Sequence, residues 1–83
     1  MPGSREPDWG ELRFSLLRRR KEAGWTLDQL AERSSVARRS LVQLEAGESK
    51  GSVETWFKLA EAFDIEIGEM LGPLYGPTRR RDR

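Results

Sequence analysis

Arg38, Arg39 and Gln43 carry the most pointed chemistry in the chain, standing at i, i+1 and i+5 in the run from Ala37 to Ala46. A guanidinium fork matches guanine O6/N7 or a phosphate, and a carboxamide matches adenine N6/N7. Leu41 and Leu44 lie three apart in the same run, the spacing of an inward helix face, which leaves the two arginines and the glutamine on the solvent side. An exposed polar face with no partner would use the same residue types. The start of the run weighs against that bland reading. Ala37 has no side-chain oxygen to cap a helix, which costs roughly 0.5–2 kcal/mol relative to Ser, Thr or Asp. Two cations beside the positive end of a helix dipole oppose folding by about 0.3–1 kcal/mol each at low ionic strength. A turn this poor for folding is the kind of local conflict that binding sites retain.

Other chemistries fall away on composition. The 83 residues include no cysteine and no histidine, so a thiol nucleophile, an imidazole base and a Cys/His zinc site are all missing. Glu61, Asp64, Glu66 and Glu69 follow no ligand-loop spacing and read as a solvated acidic face. No cofactor or metal is expected, and with no acid–base pair or nucleophile the chain is read as a non-enzyme. No apolar run approaches the ~18–20 residues of a membrane span, and the N-terminus lacks a signal-peptide stretch. A soluble, cytoplasmic chain is expected. Net charge is only +1, but it is unevenly spread: residues 10–23 carry +3, residues 46–72 carry −4 and residues 73–83 carry +3. A polyanion would be held by one face and repelled by another.

The elements that must position these side chains follow from spacing and caps. Residues 1–7 read as a loose lead-in. Asp8, with Glu11 three residues on, opens a helix over 9–23 whose apolar positions are Trp9, Leu12, Leu16 and Ala23, flanked by Phe14 and Leu17; Gly24 ends it. Thr26 and Gln29 form a second capping box for a short helix through Arg33, with Leu27, Leu30 and Ala31 inward. Ser34-Ser35-Val36 is a tight turn, and a third helix runs over 38–46 until Gly47. Ser52 caps a fourth helix, on which Val53, Trp56, Phe57, Ala60 and Phe63 share one face at spacings of three and four. A short fifth helix over 66–71 stops at Gly72-Pro73. The reading is all-α, five helices in one compact bundle over 8–72. A Pro/Gly segment and a basic tail over 73–83 follow, the tail mobile past about Thr78. Two helices this short, joined by three or four residues, must cross steeply, which projects the second outward.

The run from Leu16 to Leu71 resembles the helix-turn-helix domain of the Cro and phage-repressor type, the xenobiotic-response-element family with the lambda-repressor-like fold. The matching elements are the basic first helix ending at Gly24, then Thr26-x-x-x-Leu30-Ala31-Glu32, and Val36 in the turn. They continue through Leu41-x-x-Leu44-Glu45-x-Gly47 to Ser52-Val53-Glu54-Thr55 and Leu59-Ala60-x-Ala62. The resemblance covers about two-thirds of the chain and implies double-stranded DNA as the partner. It gives base contact to Arg38, Arg39 and Gln43, with Ser40 near base or backbone. It gives phosphate contact to Thr26 with the amides around it, and to Lys50 in the loop after the third helix. It also makes Arg20 and Glu45 a structural ion pair.

Departures from the family pattern bear on affinity. Leu27 stands where many members have a phosphate-binding glutamine, and Ala46 where a polar or basic residue often helps to hold the backbone. Ser35 replaces the usual turn glycine, Ala37 the usual Ser or Thr cap, and Gly51 a frequent proline. Modest affinity per monomer follows, with a homodimer or the basic tail making up the difference. Val42 can meet a thymine methyl or pack at the core edge. Trp56 replaces a smaller aliphatic residue; it reads as core, and with Leu74 and Tyr75 it can also form an apolar dimer patch. Arg79 to Arg83 can follow phosphates or stay solvated. No effector domain fits in this length. The expected function is sequence-specific DNA binding at an operator, as a repressor in most of the family. The alternative is a protein-interaction module on the same fold, antitoxin-like or a co-regulator adaptor.

Overall fold

A computed structural model describes residues 6–76. Its elements are α1 (Trp9–Ala23), α2 (Leu27–Ser34), α3 (Arg38–Ala46), α4 (Val53–Ala62) and α5 (Ile67–Leu71), followed by a 3-10 turn (Gly72–Tyr75). The described residues form no strand. The described residues are all-α with five α-helices, the architecture that the resemblance implies. No helix among them is long and apolar enough to cross a membrane. The basic run Arg79–Arg83 lies outside the described residues.

Local chemistry sets the ends of the helices. The Asp8 carboxylate accepts from Glu11 N at 2.9 Å, and Gly24, at φ 76°, closes α1 by donating to carbonyls of the last turn. The Thr26–Gln29 capping box is complete: Gln29 N donates to Thr26 Oγ1 at 3.1 Å and Thr26 N to Gln29 Oε1 at 2.8 Å. Ala37 provides no side-chain cap to α3, and Gly47 ends it at φ 80°. Ser52 caps α4 by accepting from Thr55 N.

Leu12 and Leu16 of α1, Leu30 of α2, Leu41 and Leu44 of α3, Trp56 and Leu59 of α4 and Met70 of α5 meet in one buried core. α1 packs on α3, and α2 on both α3 and α4. Two expectations for α4 need correcting. Val53 is 73% exposed and Phe57 51% exposed, whereas Leu59 is fully buried. The core takes the Trp56–Leu59–Ala60 stripe, one helix step round from the expected face. Gly72-Pro73 ends α5 as expected. The chain continues as the 3-10 turn against α1, with Asp8 N donating to Leu74 O at 2.8 Å.

Trp56 explains why Gly51 stands where the family often has proline. Gly51 has φ 75°, which proline cannot adopt. A Cβ there would lie 2.9 Å from Trp56 Nε1 and 3.0 Å from Leu44 Cδ2. The large indole and the small loop residue fit as a pair. Trp56 Nε1 donates to Lys50 O at 2.7 Å, which satisfies its one polar atom inside the core.

Candidate nucleic-acid interface

The turn between α2 and α3 is held by a single buried hydroxyl. Ser34 Oγ donates to Leu30 O at 2.7 Å and accepts from Val36 N at 3.2 Å. Ser35 adopts the left-handed conformation, φ 64°, in the place where the family has glycine. Val36 then buries its side chain and the chain enters α3. Leu41 and Leu44 anchor α3 in the core, so Arg38, Arg39 and Gln43 emerge on its exposed side, while Ser40 is half-buried. Val42 is 38% exposed beside them.

An ion pair fixes the orientation of α3 on α1. Arg20 Nε donates to Glu45 Oε2 at 2.7 Å and Arg20 Nη2 to Glu45 Oε1 at 2.9 Å, a two-pronged contact. Arg20 Nη1 also donates to Trp25 O at 2.9 Å, which ties in the loop before α2. Hydrogen bonding to Glu45 raises the Arg20 pKa above its ordinary value, outweighing the burial that acts the other way. The guanidinium therefore stays charged and spends three of its five N–H donors internally, on Glu45 and on Trp25 O.

Two contacts have no counterpart in the sequence reading. Arg38 Nε pairs with Asp28 Oδ1 at 2.8 Å, both side chains more than half exposed. A carboxylate thus stands at the positive end of α2 and holds one of the outward arginines. In addition, Arg13 Nη1 donates to Glu45 O at 3.1 Å, which lays α1's Arg13 across the end of α3. Both bonds join residues distant in sequence, so neither has a local signal. Only the first-turn position of Asp28 and the basic character of α1 pointed that way.

The phosphate candidates differ in their freedom. Thr26 N is already spent on Gln29 Oε1, and Gln29 N on Thr26 Oγ1, so neither amide is free for a phosphate. The Thr26 hydroxyl hydrogen and the first-turn amides of Leu27 and Asp28 have no acceptor within the helix. Lys50 is exposed in the loop between α3 and α4, its ammonium 5.1 Å from the centre of the Trp9 ring. Of the three residues named for an apolar patch, Trp56 takes its core reading. Trp56 is only 5% exposed because Gly51, Leu44 and the Lys50 carbonyl enclose it. Leu74 is half-buried and Tyr75 is 55% exposed.

Comparison with known proteins agrees with this geometry. A family model described as helix-turn-helix matches residues 16–70. The HTH-type transcriptional regulator SutR of Escherichia coli (strain K12) is 32% identical over 67 residues, which are 81% of this chain and 38% of that protein. A chain of the SinR protein/SinI protein complex superposes with a TM-score of 0.66 at 26% identity, over 72% of this chain and 59% of that one. A hypothetical transcription factor, NHTF from Neisseria, has the same TM-score at 20% identity over 86% of each chain, which speaks to fold alone. The present chain thus spans well under half the length of SutR. From the capped helices, the buried Arg20–Glu45 tie and the outward face of α3, with a model match over most of the core, this chain belongs to the helix-turn-helix family, in its Cro and phage-repressor form.

Proposed function

We propose that the chain is a sequence-specific, double-stranded DNA-binding regulator of transcription that acts as a repressor by occupying an operator. The observation that carries this reading is α3 itself, bolted to α1 through Glu45 while Arg38, Arg39 and Gln43 stand outward from a face anchored by Leu41 and Leu44. Arg38, Arg39 and Gln43 read base edges in a major groove, Ser40 contacts base or backbone, and Thr26 and Lys50 hold phosphates. The DNA-binding unit is residues 8–72, the site of action is the cytoplasm at the nucleoid, and the chain does no catalysis.

Two copies would address half-sites one helical turn apart, about 34–36 Å, as a homodimer using the exposed surface around Tyr75. The superposing chain from the SinR/SinI pair belongs to a complex of two proteins, and that supports a second reading, in which this fold serves as an adaptor for another protein.

Titration of a duplex library at several salt concentrations separates the two. Arg38→Ala, Arg39→Ala and Gln43→Ala should each relax preference by ~1–3 kcal/mol at defined positions, whereas Lys50→Ala should weaken all duplexes alike and lower the salt slope by about 1. Four variants indistinguishable from wild type, with no duplex preferred, would favour the adaptor. Sedimentation across concentration tests the dimer. A species that stays monomeric at micromolar concentration, alone and on DNA, would contradict it.

A further inference from the structure

The C-terminal end of α3 is flanked by two cations from different elements. Arg13 comes from α1 and Lys50 from the loop before α4, and both line a cavity of about 290 Å3 together with Trp9, Ala46, Gly47 and Ser49. We propose that this cavity is a phosphate cradle, in which Arg13, Ser49 and Lys50 together hold one backbone phosphodiester of the bound duplex. The proposal rests on the DNA-binding reading above, in which Lys50 already holds a phosphate, and adds Arg13 and Ser49 to that contact.

Each donor is positioned by a contact that leaves part of it available. Arg13 spends one of its five N–H groups on Glu45 O. Gly47 permits that path, since a Cβ there would lie 3.1 Å from Arg13 Nε. Lys50 is held over the Trp9 ring, a contact that occupies one side of the ammonium and leaves the donors on its other side for an anion. Ser49 Oγ accepts from Gly51 N at 3.1 Å, which leaves its hydroxyl hydrogen to donate outward. Neither Arg13 nor Lys50 is in an ion pair with a carboxylate among the described residues.

Charge argues in the same direction. A helix C-terminus is the negative end of its dipole and by itself repels a phosphate. Here Gly47 N and Glu48 N cover carbonyls of the last turn, and Arg13 covers that of Glu45. The carbonyls of Gln43, Leu44 and Glu45 thus have donors, and Arg13 and Lys50, neither paired with a carboxylate among the described residues, stand beside the open space. At ~30 Å3 per water, a volume of about 290 Å3 has room for a phosphodiester and bridging waters. Ala46, which lacks the polar or basic side chain often found at its position, lies on the wall of this space. Arg13 reaches across from α1 to supply the contact that Ala46 cannot.

The test uses a duplex carrying the selected site, made with a single neutral methylphosphonate at each backbone position in turn. Each duplex is titrated against wild type, Arg13→Ala, Arg13→Lys, Lys50→Ala and Arg38→Ala over a range of salt. At one methylphosphonate position, distinct from the one facing Thr26, wild type should weaken about tenfold, and Arg13→Ala should weaken the unmodified duplex similarly, as expected for one charge-assisted hydrogen bond. The two losses should not add, because they remove the same contact. Arg13→Ala should also reduce the salt slope by about 0.9 with unchanged base preference, and Arg13→Lys should restore much of it. A purely structural Arg13 would lower the melting temperature but leave the salt slope alone, and its effect would add to that of every methylphosphonate. Either of those two results overturns the cradle. Binding that depends on Arg38 but not on Arg13 overturns the cradle alone, whereas a wild type that binds no duplex overturns the DNA-binding reading and the cradle with it.

Discussion

Arg38 is the outward arginine whose partner is known, and that partner bears on how it could read DNA. Asp28 holds its guanidinium from the start of α2, both groups largely in solvent. Such a pair adds between nothing and about 1 kcal/mol to stability, so its main consequence is electrostatic. The carboxylate fixes the arginine's direction and opposes a nearby phosphate. Asp28→Asn should leave the unfolding free energy within ~1 kcal/mol of wild type, yet tighten binding to every duplex while blunting preference at the base facing Arg38. Unchanged affinity and preference would show that Asp28 is a bystander. Arg20 and Glu45 behave differently because their side chains are only 13% and 11% exposed. Glu45→Ala would strand a nearly buried guanidinium and should cost about 3 kcal/mol in denaturant unfolding. Because the Arg20 pKa is raised, its share of the stability is complete at neutral pH and fades only in strong alkali. The Arg20–Glu45 pairing could be read in the sequence through family resemblance, since its positions belong to a motif. Asp28–Arg38 and Arg13–Glu45 could not, because side chains that meet only after the helices pack leave no periodic trace.

The helices themselves were largely legible because their ends are written within a few residues. Thr26 and Gln29 cap α2 through atoms three positions apart, and Gly24 and Gly47 each stop a helix at the residue that can take a positive φ. The inner face of α4 was harder. Val53, Phe57 and Leu59 are all apolar, and spacing alone does not say which stripe the neighbouring helices cover; only packing against the rest of the core selects Leu59. The 3-10 turn has no local signature for a similar reason, since Gly72-Pro73 ends α5 and only packing brings Leu74 O to Asp8 N. At this scale α3 has the weakest start among α1 to α4. It lacks a side-chain cap, and Ala37 already has the extended backbone of a cap residue, φ −58° and ψ 140°. Ala37→Ser should therefore stabilise the fold by ~1 kcal/mol, or about 4–8 °C in melting temperature for a domain of this size. No gain in thermal unfolding would mean that the start of α3 is limited by something other than its missing cap.

Across the whole molecule, charge is sorted by region. The basic α1 and the outward arginines of α3 contrast with the acidic stretch formed by α4 and α5, where Glu61, Asp64, Glu66 and Glu69 are exposed. A duplex approaching α3 meets cations, and one approaching α4 and α5 meets carboxylates, so orientation is set before contact. On the function proposed above, phosphate contacts give affinity and the α3 face gives choice of sequence. The direct test is a selection from randomised duplexes with wild type beside a triple variant, Arg38→Ala/Arg39→Ala/Gln43→Ala, which keeps Leu41, Leu44 and Glu45 and hence the fold. Wild type should enrich a defined motif. The triple variant should melt as a folded protein and still bind duplexes in a salt-dependent way, but enrich no motif. Recovery of the same motif by the triple variant would contradict the assignment of sequence reading to α3.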